Sequence, residues 1–264
     1  MILTADDVNR RPNLIGFLTL VKREMVRTFA IINQVIWPPV IQTLLYVFVF
    51  GLALGSKIPT VQGVKYSQFL IPGLIMLQVI DQTYGEGSST VFQGRFMNSI
   101  QELLIAPMSA LEMVMGYVVA GTARALFIAL LITLLGAVFV QTLPIQWGIY
   151  FLTIVLVSIL FSSLGIICGL LAEKFDHIAL LTTFFITPLV FVGGVFTSTQ
   201  FLPPIARTIS MFNPMFYMIN AFRYSYTLRG DAPLLTSLAI VALLTAISFG
   251  TALGMMAAGV KLRT

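Results

Sequence analysis

The sequence predicts an all-α, polytopic membrane protein, and three observations carry that prediction. Of 264 residues, 58% are hydrophobic and only 9% charged, with a mean hydropathy of +0.97, whereas an ordinary soluble domain carries about 25% charged residues. Charge-free runs cover residues 28–56, 125–172, 178–206 and 232–260 and are 29, 48, 29 and 29 residues long. A membrane β-barrel would alternate apolar and polar residues along short strands and would not produce such runs. The composition also excludes a soluble globular enzyme and a disordered or fibrous chain.

A spanning helix needs about 20 apolar residues. The 48-residue run therefore holds two spans, broken at 141–146 by Gln141, Pro144 and Gln146. With a weaker span that contains Asp81 and Glu86, six are expected: 37–55, 66–94, 112–140, 147–172, 178–197 and 233–260. Ahead of them, residues 14–32 form an amphipathic pattern. At 100° per residue Leu14, Phe17, Leu18, Val21, Met25, Phe29 and Ile32 fall on one stripe, with Arg23 and Arg27 opposite. Such a helix lies in the headgroup plane with its basic face towards water, as an anchor or as a docking surface. The first 27 residues mix Asp6, Asp7, Arg10 and Arg11 with Lys22, Arg23, Glu24 and Arg27 and have no apolar core, so they do not read as a cleavable signal. Trp37, before Pro38 and Pro39, marks the interfacial start of span one.

Residues 98–112 are the most informative connection. Two S-x-x-E capping boxes, Ser99 with Glu102 and Ser109 with Glu112, flank Pro107. Each box satisfies two free amide donors at a helix start, and proline disfavours helix in the residue before it. A short helix, a break and the start of span three are expected, with Leu103, Leu104 and Ile105 presented beyond the membrane to a partner. A tight turn at 173–177 follows span four, and its His177 reads as a solvated residue. Pro188 and Gly193-Gly194 loosen span five. Residues 203–229 read as a helical hairpin dipping into the outer leaflet, because Pro203-Pro204 and Asn213-Pro214 each suit a helix start. The aromatic content and Arg223 suit the interface. Asp231 and Pro233 are expected to cap span six.

The charges orient the chain. Arg10, Arg11, Lys22, Arg23, Arg27, Arg95, Lys174, Lys261 and Arg263 fall on one side, and Lys57, Lys65, Arg207, Arg223 and Arg229 on the other, which places both termini in the cytoplasm. Asp81, Glu86 and Arg124 remain inside spans, where a charge costs about 2.5–3.5 kcal/mol on insertion scales and seeks a partner. Counted from the cytoplasmic ends, Glu86 and Arg124 lie at depths of about 13 and 18 Å, and side chains lean towards their helix N-termini. The two are therefore expected to pair, with Asp81 deeper. Such a pair can lock two helices or serve as a gate. One cysteine, Cys168, and one histidine, His177, exclude a disulfide framework and histidine-based metal chemistry. No catalytic or metal-binding cluster and no nucleic-acid footprint is expected.

Four stretches together resemble the type-2 ATP-binding-cassette (ABC) exporter permeases over essentially the whole chain. They are the basic amphipathic helix, Phe69-Leu70-Ile71-Pro72-Gly73, residues 98–109 around Glu102 to Pro107, and Asn213-Pro214 through Arg223-Tyr224. The small single-domain permeases related to drug and nodulation-oligosaccharide exporters are the most similar. The resemblance implies a single transmembrane domain over 1–264 that dimerises and pairs with two copies of an ABC ATPase in a bacterial inner membrane. It makes 14–32 the connecting helix, 98–107 the coupling helix and 203–229 the re-entrant helices. Arg23, Arg27, Ser99, Glu102, Leu103, Leu104, Ile105, Pro107 and Asp176 would face the ATPase; Asn213, Pro214, Tyr217, Arg223 and Tyr224 would form the extracellular gate. The chain has no Walker motif, so ATP and Mg would be bound by the partner ATPase and not by this chain. The cargo implied is amphipathic, drug-like, lipid or lipid-linked. The rival readings are an ion-coupled secondary transporter or channel, which often shows internal repeats, an intramembrane lipid-processing enzyme and a tether. No repeat links residues 35–140 with 147–260, and no G-x-S-x-G occurs.

Overall fold

Local signals set where each helix begins. The computed structural model describes residues 13–52, 55, 60–61, 63–97 and 108–260. The Asn13 side chain accepts the Gly16 N–H at 3.0 Å and opens α1 (Leu14–Ala30). Ile31 alone interrupts the helix before α2 (Ile32–Tyr46), which runs on as a π-helical segment, Val47–Leu52. The first rod thus starts at Ile32, five residues before Trp37, with Pro38 and Pro39 inside it. Each proline withholds one N–H from the carbonyl four residues back, a loss that spanning helices tolerate when neighbours re-satisfy the freed groups. A two-residue-per-strand hairpin, β1 (Thr60–Val61) and β2 (Val64–Lys65), leads into α3 (Tyr66–Phe96).

The second predicted capping box forms. Ser109 Oγ accepts the Glu112 N–H at 3.2 Å, Glu112 Oε2 accepts the Ser109 N–H at 2.7 Å, and α4 (Ala110–Leu135) begins there. The first box and the coupling-helix residues Ser99, Glu102, Leu103, Leu104, Ile105 and Pro107 lie outside the described residues, as do Arg10, Arg11, Lys57, Lys261 and Arg263. A π-helical turn (Gly136–Val140) ends α4, and α5 (Trp147–Leu171) follows. The next rod joins α6 (Phe175–Leu181), a π-helical turn (Thr182–Ile186) and α7 (Thr187–Val192). Pro188 has no N–H to give, and the turn before it widens so that the Thr187 N–H reaches the Thr182 carbonyl. This rod spans 175–192 where 178–197 was expected. A 3-10 turn (Thr199–Phe201), α8 (Pro204–Phe212), α9 (Pro214–Thr227) and α10 (Leu234–Ala257) complete the chain.

Among the described residues five rods are long and apolar enough to cross a membrane: Ile32–Gly51, Ala110–Val140, Trp147–Leu171, Phe175–Val192 and Leu234–Ala257. The 31-residue α3 is about 46 Å long, yet its polar residues keep it out of that apolar set. Packing accounts for the difference. Residues 69–80 of α3 are buried without interruption, and α3 lies chiefly against α5, then α4 and α9. A helix enclosed by other helices needs no continuous lipid-facing surface.

Small residues let α3 and α5 approach. Gly165 and Gly169 lie one turn apart on α5, and a Cβ on either would stand 2.6 Å from a backbone oxygen of α3, that of Tyr84 or of Ser88. From the other side, a Cβ on Gly87 would stand 2.5 Å from the Ser162 carbonyl. This is the small-xxx-small packing by which spanning helices gain dispersion contact where lipid supplies no hydrophobic drive.

Candidate functional site

The face of α3 that carries Gln82, Glu86 and Thr90, at four-residue intervals, is the most highly charged part of the interior. Glu86 accepts at both carboxylate oxygens: Oε2 pairs with Arg124 Nη1 from α4, and Oε1 with Arg27 Nη2 from α1. Arg124 Nε also donates to Gln82 Oε1 at 3.0 Å, and Arg27 Nη2 to Thr90 Oγ1. Arg124 thus grips the Gln82–Glu86 step of the ladder and Arg27 the Glu86–Thr90 step. Glu24, buried on α1, pairs with Arg27 Nε at 3.0 Å and with Arg23 Nη2 at 2.9 Å. Three guanidiniums and two carboxylates therefore tie α1, α3 and α4 together. Partial burial works against the Arg23 charge, but the Glu24 bond and charge together with Tyr117 outweigh it and hold that guanidinium above its ordinary value.

The Glu86–Arg124 pair expected from depth is present, but Arg27 departs from expectation. It turns inward to α3 instead of lying on a water-facing basic surface. The buried side of α1 is formed by Leu20 and Glu24, while Leu14, Leu18 and Phe29 of the predicted apolar stripe are exposed. Asp81 stands apart; its Oδ1 is buried and has no hydrogen-bond partner among the described residues.

At the end of the molecule where α4 begins, Glu112 does double duty. Besides its capping box, its Oε1 accepts the backbone N–H of Asn13, so one carboxylate joins the first turns of α1 and α4. Arg95 Nη1 donates to the carbonyls of Gly169, Leu170 and Ala172 at 3.0, 2.7 and 3.0 Å, closing the C-terminus of α5 where a cation is favoured. Asp176, in the first turn of α6, and His177 are exposed.

The opposite end holds the predicted gate residues. Asn213 caps α9 through the Met215 N–H at 3.0 Å and donates Nδ2 to the Leu189 carbonyl at 2.5 Å, and Pro214 is the first residue of the helix. Tyr217 and Tyr224 are half-buried. Arg223 is enclosed by protein: it is 2% exposed, its guanidinium lies 3.8 Å from the Phe69 ring centroid, and Nη2 donates to the Gly194 carbonyl at 2.6 Å. The α9 aromatics are mostly inside the protein, where Tyr150, Phe222 and Tyr226 meet at tilted angles and both tyrosine hydroxyls bond Thr133 Oγ1. Asp231 does not cap α10, whose N-cap is Pro233; it accepts from Ser198 Oγ at 2.6 Å and the Thr199 N–H at 3.1 Å.

Three participants were missed by sequence reasoning. Asn220 donates to the Ala232 carbonyl and to Ser237 Oγ and accepts the Asp231 and Ala232 N–H groups, fastening α9 to the start of α10. Gln82 and Thr90 were findable, since each lies four residues from Glu86 and so on its helical face. Elsewhere, an apolar groove of about 550 Å³ opens between α4, α5 and α10, with Val118, Leu126, Ile159 and Phe249 among its walls. Among the described residues no group of His, Cys, Asp and Glu could hold a metal ion.

Apolar rods set around a polar central helix, with its Glu86 neutralised by Arg27 and Arg124, define a multi-pass helical membrane protein. Residues 16–227, from the first turn of α1 to the end of α9, match the ABC-2 type transporter family, and the chain belongs to it. It is 41% identical to the inner membrane transport permease YadH of Escherichia coli (strain K12), over 83% of this chain and 86% of that protein. It is also 26% identical to nodulation protein J of Rhizobium leguminosarum bv. trifolii, over 69% of this chain and 70% of that one. The protein is a transmembrane permease of the ABC-2 type.

Proposed function

We propose that this chain is the membrane-spanning subunit of an ATP-driven exporter. Two copies line a transport path, and two copies of a cognate ABC ATPase bind and hydrolyse ATP with Mg on the cytoplasmic side. The observation that carries the reading is the family match across α1 to α9 in a chain without a Walker motif. In this reading α3 is the sixth span, α8 and α9 re-enter the membrane from outside, and both termini are cytoplasmic. The inner membrane named for the Escherichia coli relative is the setting. Residues 98–107, with Asp176 and the exposed side of Arg23, receive the ATPase. Asn213, Pro214, Tyr217, Arg223 and Tyr224 hold the outer closure. The scarcity of polar side chains in the spans suits an amphipathic cargo, drug-like, lipid or lipid-linked.

Affinity capture of the tagged chain from inner membranes tests the reading. An ATPase subunit should come with it in equal copies, and inside-out vesicles should load a fluorescent amphipathic dye only with ATP. Dye loading driven by an ion gradient, with no ATPase attached, would establish the secondary-transporter alternative.

A further inference from the structure

We propose that Arg27 is a releasable positioning residue. Its bond to Glu86 holds α1 against α3 in the structure described, and the transport cycle opens that bond while Glu86–Arg124 stays closed. The inference rests on the chain being an ATP-driven permease, and three asymmetries carry it.

The first is exposure. The Arg27 side chain is 33% exposed and the Arg124 side chain 12%, so only Arg27 has ready access to water or lipid headgroups on leaving the carboxylate. The second is the presence of a substitute partner. Arg27 already touches Glu24 on its own helix at 3.0 Å and keeps that neutralising charge if α1 moves away. Among the described residues Arg124 has only Glu86 and Gln82, both on α3, so releasing it would strand a buried cation. The third is the nature of the remaining contact. Against α4, α1 buries Leu20 over Gly116 in an apolar cluster that includes Met113, Val114 and Tyr117. Towards α3 the bonds described are those of Arg27 to Glu86 and Thr90. Arg27 therefore sets how α1 sits towards α3.

The bonds are also placed to be worked. Glu112 holds the Asn13 N–H at the start of α1 and lies five residues beyond 107, the last residue of the segment proposed to meet the ATPase. Displacement there acts on one end of α1, and Arg27 is the fastening towards the other end.

A cross-link reads the two states without knowledge of the cargo. A Cβ built on Gly116 lies 3.6 Å from Leu20 Cβ, within the 3.5–4.5 Å span of a disulfide. Leu20→Cys with Gly116→Cys, in a Cys168→Ser background, is oxidised in membranes that contain the intact transporter with its ATPase. The disulfide should form readily without nucleotide and fall at least fivefold after trapping with MgATP and vanadate. Adding Arg27→Gln should lower the nucleotide-free yield severalfold. A bond of purely structural use would give the same yield in both states. Equal yields, no effect of Arg27→Gln, or no cross-link at all would overturn the proposal. A complex that fails to trap nucleotide would instead refute the ATPase reading beneath it.

Discussion

At the scale of single residues, Glu86 matters most because it satisfies two cations at once. Its removal strands Arg124, and breaking a buried ion pair from one side costs about 3–5 kcal/mol. Glu86→Ala should lower the thermal unfolding midpoint of the detergent-solubilised protein accordingly. The double variant Glu86→Leu with Arg124→Met should recover most of the loss, because it removes both charges together. A double variant as unstable as the single one would mean that the pair contributes more than neutralisation. The pairing of Glu86 with Arg124 was legible in the sequence, since depth along two antiparallel helices fixes which charges can meet. Arg27 was not. A helical wheel gives the angle between Arg27 and Leu18 but not which side of α1 another helix covers. The amphipathic pattern suggested lipid on one side and water on the other, and α3 and α4 occupy part of the second. Arg223 misled for a related reason: an arginine among tyrosines reads as interfacial, and only tertiary packing shows that Phe69 and the Gly194 carbonyl enclose it.

At the scale of elements, helix starts were easier to read than helix faces. Ser109 with Glu112 and Asn213 with Pro214 are local chemistry, and both form as capped starts. The contact between α3 and α5 left only a faint trace, Gly165 and Gly169 one turn apart, in a sequence that holds 20 glycines. Its weight appears once the backbones are seen to approach. Gly165→Val should therefore be far more damaging than a valine at Gly148 or Gly250, where a Cβ would meet nothing within 4 Å. The expected cost is at least the 1–3 kcal/mol typical of overpacking, read as loss of the monodisperse peak in size-exclusion chromatography. Equal tolerance at Gly165 and Gly250 would contradict the packing described for α3 and α5.

At the scale of the whole molecule, the central helix is the one least suited to lipid. Asp81, midway along α3, would cost about 2.5–3.5 kcal/mol at the bilayer centre on insertion scales, and Glu86 adds a second charge. In a translocon insertion assay an isolated α3 segment should integrate poorly, while Trp147–Leu171 and Leu234–Ala257 integrate well; efficient integration of α3 alone would contradict its dependence on neighbours. The order of synthesis adds a temporal side to the same arrangement. Arg124 lies 38 residues after Glu86, so at about 5–20 residues per second it is made roughly 2–8 s later. Arg27, 59 residues earlier, has already left the ribosome. Over that interval Arg27 is on hand for Glu86 and Arg124 is not, so the first of the described helices can hold the polar one until its later neighbours exist.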